Sequence, residues 1–221
     1  MALRIFDLDE TLVRCDSSSL FCEYLVERGL VDDVLYLETE RKLMEQYTNQ
    51  QLLIDDYIKF QLAPLSKLTI AAVDELADDF VFTKMRQWIY PQGRELLKQL
   101  SLQGHRLLII SATAAFIVRA VARELGVEDV LAIDLQEINN QYSGVIQGVP
   151  SYREGKVTRL KQWLQQHKLS LADAHFYSDS MNDLPLLELV DNPVVTNPGA
   201  RLKQIAAQRD WQLLQWQLTG S

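Results

Sequence analysis

Two aspartates separated by one residue, Asp7 and Asp9, directly follow a short apolar run near the start of the chain. This spacing lets both carboxylates converge on one centre if a strand ends at this point. A carboxylate can attack phosphorus and form an aspartyl phosphate, while a second one gives a proton to the leaving oxygen and takes one from the attacking water. Alone, the pair is equally compatible with an acidic turn that carries no chemistry.

A serine and a lysine farther along the chain supply complementary groups. Ser111 ends a second apolar run, where its hydroxyl and the amides that follow, beginning at Ala112, can hold a phosphoryl oxygen at a helix start. The alternative is that Ser111 only caps that helix. Lys156 follows a glycine at a predicted helix start and can neutralise a phosphate and an attacking carboxylate, although a single lysine there is usually a solvated surface residue.

An acid-rich segment, residues 177–183 with the sequence YSDSMND, follows a third apolar run. Asp179, Asn182 and Asp183 offer oxygen atoms, which are the ligands that hard cations prefer. Mg²⁺ is the expected cation, because it keeps several waters and binds through a few carboxylates together with the substrate phosphate. A capped turn without a metal is the alternative.

These groups lie just past predicted elements of an alternating pattern of strands and helices. Short apolar runs predict strands at residues 3–8, 107–111, 130–134, 175–178 and 194–196. Helices are predicted between them, including one at residues 94–102 and one through Ile117 that ends at Gly126. Helices between parallel strands predict an α/β fold with a doubly wound parallel sheet, in which ligands bind beyond the carboxyl ends of the strands. Residues 137–148 predict a β-hairpin.

Residues 16–85, between the first strand and the rest of the sheet, have a different pattern. Apolar residues recur at intervals of three and four, with acidic residues between them and a single proline, Pro64. The pattern predicts three or four amphipathic helices inserted into the α/β domain. We expect a core of residues 1–14 and 87–221 and an inserted α-helical cap of residues 15–86 that covers the ligand-binding edge.

The composition is that of a globular protein: 221 residues, 48% hydrophobic and 24% charged, with a formal net charge of −8. A surface of that sign repels phosphate backbones, so no nucleic-acid partner is expected. The apolar runs are far shorter than the roughly 20 residues of a membrane-spanning helix, so no stable membrane insertion is expected. Arg4 and Asp7 disfavour a signal peptide, and Cys15 and Cys22 form no disulfide framework, which favours a cytoplasmic location.

The four motifs, in this order, resemble those of the haloacid dehalogenase (HAD) superfamily, in its phosphoserine-phosphatase-like branch, subfamily IB, which carries a helical cap after the first motif. The resemblance implies a HAD-like Rossmannoid core, with Asp7 as the nucleophile and Asp9 as the general acid and base. It implies phosphate contacts from Thr11, Ser111, Ala112 and Lys156. It implies Mg²⁺ ligands from the side chains of Asp7 and Asp179 and the carbonyl of Asp9, with Asn182 and Asp183 behind them as positioning residues. Ser178 departs from the many members that have glycine there.

The choice of substrate depends on the cap. Asp16 lies nine positions after Asp7, where phosphoserine phosphatases carry a glutamate that binds the substrate amine. An N-cap of the first cap helix is the alternative for Asp16. Further candidates are Arg14, Glu23, Arg28 and Arg41, although most charges on amphipathic helices are solvated.

Segments outside the motifs, at residues 28–32, 154–157 and 176–185, resemble histidinol-phosphatase-like members of the branch. The resemblance implies a Mg²⁺-dependent phosphatase. Histidinol phosphate, which carries an amine, is its first candidate substrate, and phosphoserine is the second. A phosphatase of phospholipid head groups and a non-catalytic phosphate-binding protein are the remaining alternatives. The sequence gives no indication of the oligomeric state.

Overall fold

The computed structural model describes residues 2–31, 33–48 and 53–218. Their strands are β1 (Leu3–Phe6), β2 (Arg106–Ala114), β3 (Asp129–Ile133), β4 (Leu135–Ile138), β5 (Gln141–Ile146), β6 (His175–Ser178), β7 (Asn192–Thr196) and β8 (Gln212–Leu214). Six of them form a sheet in the order β3-β2-β1-β6-β7-β8, in which every neighbouring pair is parallel. The strands β4 and β5 form a separate antiparallel hairpin. Because β1 lies between β2 and β6, the loops that follow these three strands meet at one edge.

Helices flank the sheet and fill the region between β1 and β2. The α-helices are α1 (Ser17–Glu27), α2 (Asp33–Thr48), α3 (Ile54–Leu62), α4 (Ile70–Thr83), α5 (Pro91–Leu102), α6 (Ala115–Leu125), α7 (Glu154–His167), α8 (Leu184–Leu187) and α9 (Ala200–Gln208). Short 3-10 helices cover Ala63–Leu65, Met85–Trp88 and Met181–Asp183. Within the described ranges, no helix combines the length and the apolar character that crossing a membrane requires.

The central strand β1 is buried along its whole length, as expected for a strand with neighbours on both sides and helices on both faces. Its side chains alternate between two hydrophobic clusters. Leu3 and Ile5 pack in a cluster with the apolar face of α7, whereas Phe6 belongs to a second cluster that includes α6 and the inserted helices. The doubly wound α/β prediction is therefore confirmed.

Several predicted boundaries are wrong. The strand predicted at residues 3–8 ends at Phe6, because the N–H groups of Leu12 and Val13 donate to the carbonyl of Leu8 and turn the chain. The strand predicted to end at Ser111 continues to Ala114 past a register irregularity. The helix predicted from residue 94 begins at Pro91, a residue that suits the first helical position.

Other local predictions are confirmed. Gly126 ends α6 with a φ of 70°, the left-handed conformation in which glycine is least strained. Asn139 and Asn140 both have positive φ and join β4 to β5 as the hairpin turn. The edge strand β8 was not predicted, because its residues are few and largely exposed.

Aromatic side chains of α1 and α4 pack together, and α1 also packs against α6. The ring of Phe21 lies 5.2 Å from that of Phe80 and 5.5 Å from that of Phe116 on α6. On the other side, the N–H of Ile70 at the start of α4 donates to the carbonyl of Asn140 in the hairpin turn at 2.9 Å. The described residues between β1 and β2 contain four α-helices before α5, in agreement with the predicted three or four, while the domain boundaries at residues 15 and 86 stay a prediction.

Candidate active site

A cavity lies at the edge of the sheet where β1, β2 and β6 end. Its core side is lined by Asp7, Asp9, Thr113, Lys156 and Asp179, together with other residues of the same loops. Its opposite side is lined by the inserted segment through Asp16, Ser18, Met44, Ile54 and Tyr57. The fold therefore brings the predicted motifs to one place.

Lys156 lies between two carboxylates. Its Nζ donates to Asp7 Oδ1 at 2.7 Å and to Asp183 Oδ2 at 2.8 Å, and the lysine is only 3% exposed. Burial alone would lower the pKa of Lys156, but Asp183 and Asp7 outweigh it and raise the pKa above its ordinary value. The solvated-surface alternative for Lys156 is wrong.

The Asp7 carboxylate is buried at the bottom of the cavity. Burial raises the pKa of Asp7 to about 7, with Lys156 acting in the opposite direction and Asp183 adding to the rise. The attraction of Lys156 therefore favours the ionised form that a nucleophile needs.

Asp9 points to the junction between β2 and the inserted helices. Its Oδ1 accepts from the N–H of Ser17 at 2.7 Å, and its Oδ2 accepts from the hydroxyl of Thr113 at 2.8 Å. Burial, followed by the nearby Asp16 carboxylate, raises the pKa of Asp9 to about 6. A carboxyl group with a pKa near neutrality suits both donation and acceptance of a proton.

Thr11 lies against two carboxylates and is not on the cavity wall. It is fully buried, and its hydroxyl lies 3.1 Å from Asp179 Oδ1 and 3.4 Å from Asp7 Oδ2. The same oxygen accepts from the N–H of Asp179 at 3.0 Å. The hydroxyl therefore has its hydrogen-bond partners within the motifs, and its predicted contact with phosphate stays a prediction.

Ser111 is likewise fully buried, and its hydroxyl accepts from the N–H of Thr113 at 3.2 Å. It does not cap α6, whose N-cap residue is Ala114. Because β2 extends to Ala114, Ser111 lies within the strand and not at the helix start. The residues of this segment that line the cavity are Ala112 and Thr113.

The last motif holds its two aspartates in different surroundings. Both line the cavity, but Asp179 lies beside Thr11, whereas Asp183 is 1% exposed and binds Lys156. Ser178 donates to Asp183 Oδ2 at 2.7 Å and accepts from the N–H of Ser180 at 3.1 Å. Asn182 lies on the cavity wall. The serine at the usual glycine position thus adds a hydrogen bond to the turn.

Asp16 is both the N-cap of a cap helix and a residue of the cavity wall, while its contact with a substrate amine stays a prediction. It is the N-cap of α1, where its carboxylate accepts from the N–H of Ser19 at 2.8 Å, and it also lines the cavity. Burial raises the pKa of Asp16, with the capping hydrogen bonds acting against the rise. The other cap candidates Arg14, Glu23, Arg28 and Arg41 are exposed and lie off the cavity wall.

Three residues near the cavity were missed in the sequence. Thr113 was passed over because β2 was expected to end earlier. Glu40 was passed over as one charge in a charged helix, although the residues three and four positions from it on α2 are apolar and indicate a buried face. Glu40 is 5% exposed and accepts from the hydroxyl of Ser19 at 2.5 Å. Arg153 lines the cavity, and only its position three residues before Lys156 could have drawn attention to it.

A family model described as haloacid dehalogenase-like hydrolase matches residues 5–188, which include the four motifs. The chain belongs to this hydrolase family. The predicted family membership, fold and class of enzyme are confirmed.

Relatives within the hydrolase family include a histidinol-phosphatase from Neisseria meningitidis serogroup C, 38% identical over 96% of this chain and 97% of that protein. The phosphoserine phosphatase SerB1 of Mycobacterium tuberculosis is 26% identical over 96% of this chain and 70% of its own length. Among solved structures, a Bordetella pertussis protein of unknown function has a TM-score of 0.89 at 33% identity, covering 96% of this chain and 97% of that one. A substrate-bound phosphoserine phosphatase has a TM-score of 0.67 at 18% identity, covering 96% and 92%, and shows the shared fold.

The residues of this hydrolase's cavity fit a small divalent cation. Among the described side chains, no three His, Cys, Asp or Glu residues are arranged to hold a metal ion by themselves. The expected ligand set needs only two carboxylates, those of Asp7 and Asp179, with a backbone carbonyl and waters in the remaining positions. Mg²⁺ commonly binds in this way, because it keeps several of its waters. Burial and the nearby Asp7 and Asp183 raise the pKa of Asp179 well above its ordinary value, because these carboxylates exceed the positive charge beside them.

Proposed function

We propose that the chain is a Mg²⁺-dependent phosphatase that hydrolyses a small phosphomonoester through an aspartyl phosphate on Asp7, with histidinol phosphate as its substrate. The observation that carries the proposal is the pairing of Lys156 Nζ with Asp7 Oδ1 at 2.7 Å, within the same cavity as Asp9. A buried carboxylate paired with a lysine, in the same cavity as a second carboxyl group with a pKa near neutrality, is the arrangement that a two-step transfer needs.

In the first step, an Asp7 oxygen attacks the phosphorus while the ester P–O bond breaks, and Asp9 gives its proton to the leaving alkoxide. In the second step, Asp9 takes a proton from a water whose oxygen attacks the phosphorus, and the bond to Asp7 breaks to release phosphate. Asp7 and Asp9 are thereby returned to their starting forms. Each carboxyl group acts twice, so no further acid or base is required.

The remaining residues neutralise charge and fix positions. Lys156 offsets the negative charge on Asp7 and on the phosphoryl oxygens, and Asp183 with Ser178 holds the lysine in place. Mg²⁺, held by the side chains of Asp7 and Asp179 and the carbonyl of Asp9, would supply further neutralisation of the phosphoryl group. Electrostatic positioning of this kind is the main source of rate in phosphoryl transfer.

The substrate assignment rests on Asp16 and on the relatives. The Asp16 carboxylate faces the cavity from the inserted side and suits a substrate amine. Histidinol phosphate and phosphoserine both carry one, and the 38% identical relative is named a histidinol-phosphatase. We therefore place histidinol phosphate first and phosphoserine second.

We also propose that residues 15–86 form a cap over a core of residues 1–14 and 87–221, and that the protein acts in the cytoplasm. The cap assignment is supported by the inserted residues on the cavity wall. The location is supported by the two free thiols, Cys15 and Cys22, which suit a reducing compartment.

The test is phosphate release from histidinol phosphate, phosphoserine, a glycerol phosphate and an aryl phosphate, each with Mg²⁺ and with a chelator. We expect Mg²⁺-dependent turnover that is strongest on histidinol phosphate. We expect Asp7→Asn to reduce turnover by at least about 10⁴-fold with the fold retained, as for the loss of other nucleophiles. Turnover of the aryl phosphate alone would remove the substrate assignment, and turnover of no ester would favour a non-catalytic phosphate-binding protein.

A further inference from the structure

Arg153 occupies a strained position immediately before α7. It is the N-cap residue of this helix, with φ of 51° and ψ of −122°, and its side chain lines the cavity. A residue other than glycine keeps such a conformation only when its surroundings enforce it, and strained residues of this kind cluster at functional sites.

The segment before α7 enforces this conformation. The hydroxyl of Ser151, which is fully buried, donates to the carbonyl of Ala132 at 3.1 Å. The N–H of Gly155 donates to the carbonyl of Tyr152 at 2.9 Å, and a Cβ at residue 155 would lie 2.0 Å from the carbonyl oxygen of Pro150. The backbone is therefore folded so closely that a side chain at residue 155 would force the turn to shift, and this turn holds Arg153 on the cavity side.

The guanidinium of Arg153 has hydrogen-bonding capacity to spare. Its Nε donates to Asn182 Oδ1 at 3.4 Å. Its Cζ lies over the ring of Tyr152, 4.8 Å from the ring centroid. Its Nη2 is buried and has no hydrogen-bond partner among the described residues. A buried donor without an acceptor is costly, so this nitrogen is suited to an acceptor that arrives with a ligand. The neighbouring cation Lys156 is already bound to Asp7 and Asp183.

We propose that Arg153 binds the phosphoryl oxygens of the substrate, an inference that rests on the proposed phosphatase function. A guanidinium is a planar donor that matches phosphate or carboxylate oxygens, so the ligand chemistry is an anionic oxygen group. The contact with Asn182, which adjoins the Asp183 that holds Lys156, places the guanidinium on the core side of the cavity, and Asp16 lies on the inserted side. The core side is where the phosphoryl group must lie for attack by Asp7.

The first measurement is calorimetric titration of the protein with inorganic phosphate in the presence of Mg²⁺. We expect Arg153→Met to raise the dissociation constant roughly 10- to 100-fold, the loss expected for a hydrogen bond to a charged group, and Arg153→Lys to recover part of it. Lys161→Met, which removes one positive charge from an exposed position of the same helix, should leave the constant unchanged. Thermal unfolding of each variant controls for misfolding. If Arg153→Met does not fold, the phosphate affinity of Arg153→Lys is compared with that of the wild type instead. Equal phosphate affinity of the wild type and the Arg153 variants would overturn the proposal.

The second measurement distinguishes the phosphoryl group from a substrate carboxylate. Phosphoserine and phosphoethanolamine differ only by a carboxylate, and each is tested as a substrate and as a competitor of the aryl phosphate. An equal loss of affinity for both in Arg153→Met supports the phosphoryl contact, whereas a loss for phosphoserine alone overturns it in favour of a carboxylate contact. If the wild type hydrolyses no ester but still binds phosphate through Arg153, the phosphatase proposal fails and this one stands.

Discussion

The ammonium group of Lys156 is nearly inaccessible to solvent and holds two carboxylates at hydrogen-bonding distance. An ion in such a place is stabilised by its partners and not by water, so the removal of either kind of charge leaves the other unpaired. Asp7 is one of these partners, and the same contacts that prepare it for attack on phosphorus also hold the strand ends together.

We therefore expect Lys156→Met to lower the free energy of unfolding by about 3–5 kcal/mol, because it leaves Asp7 and Asp183 buried without a counter-charge. Adding Asp183→Asn to this variant should recover part of the loss, since it removes one of the two unpaired carboxylates. Urea denaturation at neutral pH measures both changes. Lys161→Met, at an exposed position of the same helix, is the control and should stay within about 0.5 kcal/mol of the wild type. A loss below 1 kcal/mol for Lys156→Met would contradict this account.

Single residues were predictable from the sequence through their order along the chain and not one by one. Asp7, Lys156 and Asp179 each have a structural alternative when taken alone, but each follows a predicted strand or begins a predicted helix, and all three line the cavity as expected. The burial of the Thr11 and Ser111 hydroxyls behind the cavity wall was not predictable, because a hydroxyl takes whichever partner its neighbours offer. Arg153 was missed because its position depends on a positive φ that no residue pattern announces.

At the scale of elements, the turn that leads into α7 depends on Gly155. A Cβ there would meet a backbone oxygen, which cannot rotate away as a side chain could. Sequence patterning located the start of α7 but gave no sign of this contact, because Pro150 and Gly155 come together only when the turn has formed.

We expect Gly155→Ala to lower the free energy of unfolding by about 1–3 kcal/mol, the usual cost of forcing an extra group into a packed site. It should also weaken phosphate binding, because the turn that carries Arg153 must shift. Gly199→Ala is the matched control, since a Cβ at Gly199 meets no atom within 4 Å and its φ of −61° suits any residue. Denaturation curves and phosphate titrations of both variants provide the comparison. An unchanged Gly155→Ala protein would show that the turn has room to adjust.

At the scale of the whole molecule, the inserted helices and the sheet share one hydrophobic cluster. Phe21 of α1 and Phe80 of α4 pack with Phe116 of α6, and the cluster continues to Phe6 of β1. The sequence predicted an insertion from its helical periodicity. It could not predict how closely the insertion packs, because apolar spacing identifies a buried face and not the surface that covers it.

This shared cluster predicts a single cooperative unfolding transition. The four tryptophans, Trp88, Trp163, Trp211 and Trp216, all lie outside residues 15–86, so their fluorescence reports on the sheet and its flanking helices. We expect Phe80→Ala to lower the urea midpoint of that fluorescence, with a loss of about 3–5 kcal/mol. Phe82→Ala, on the same helix but 65% exposed, should change it little. If the tryptophan midpoint of Phe80→Ala equalled that of the wild type, the two parts would unfold independently.

Ser178 has a consequence for recognising distant relatives. It ends β6 in extended backbone, and its hydroxyl bridges Asp183 and the N–H of Ser180. The turn at this position therefore has no need of the flexibility of glycine, and a small hydroxyl residue serves it as well. A search pattern that demands glycine before the aspartate of the last motif would pass over chains of this kind. Patterns that accept serine there will recover members that stricter ones discard.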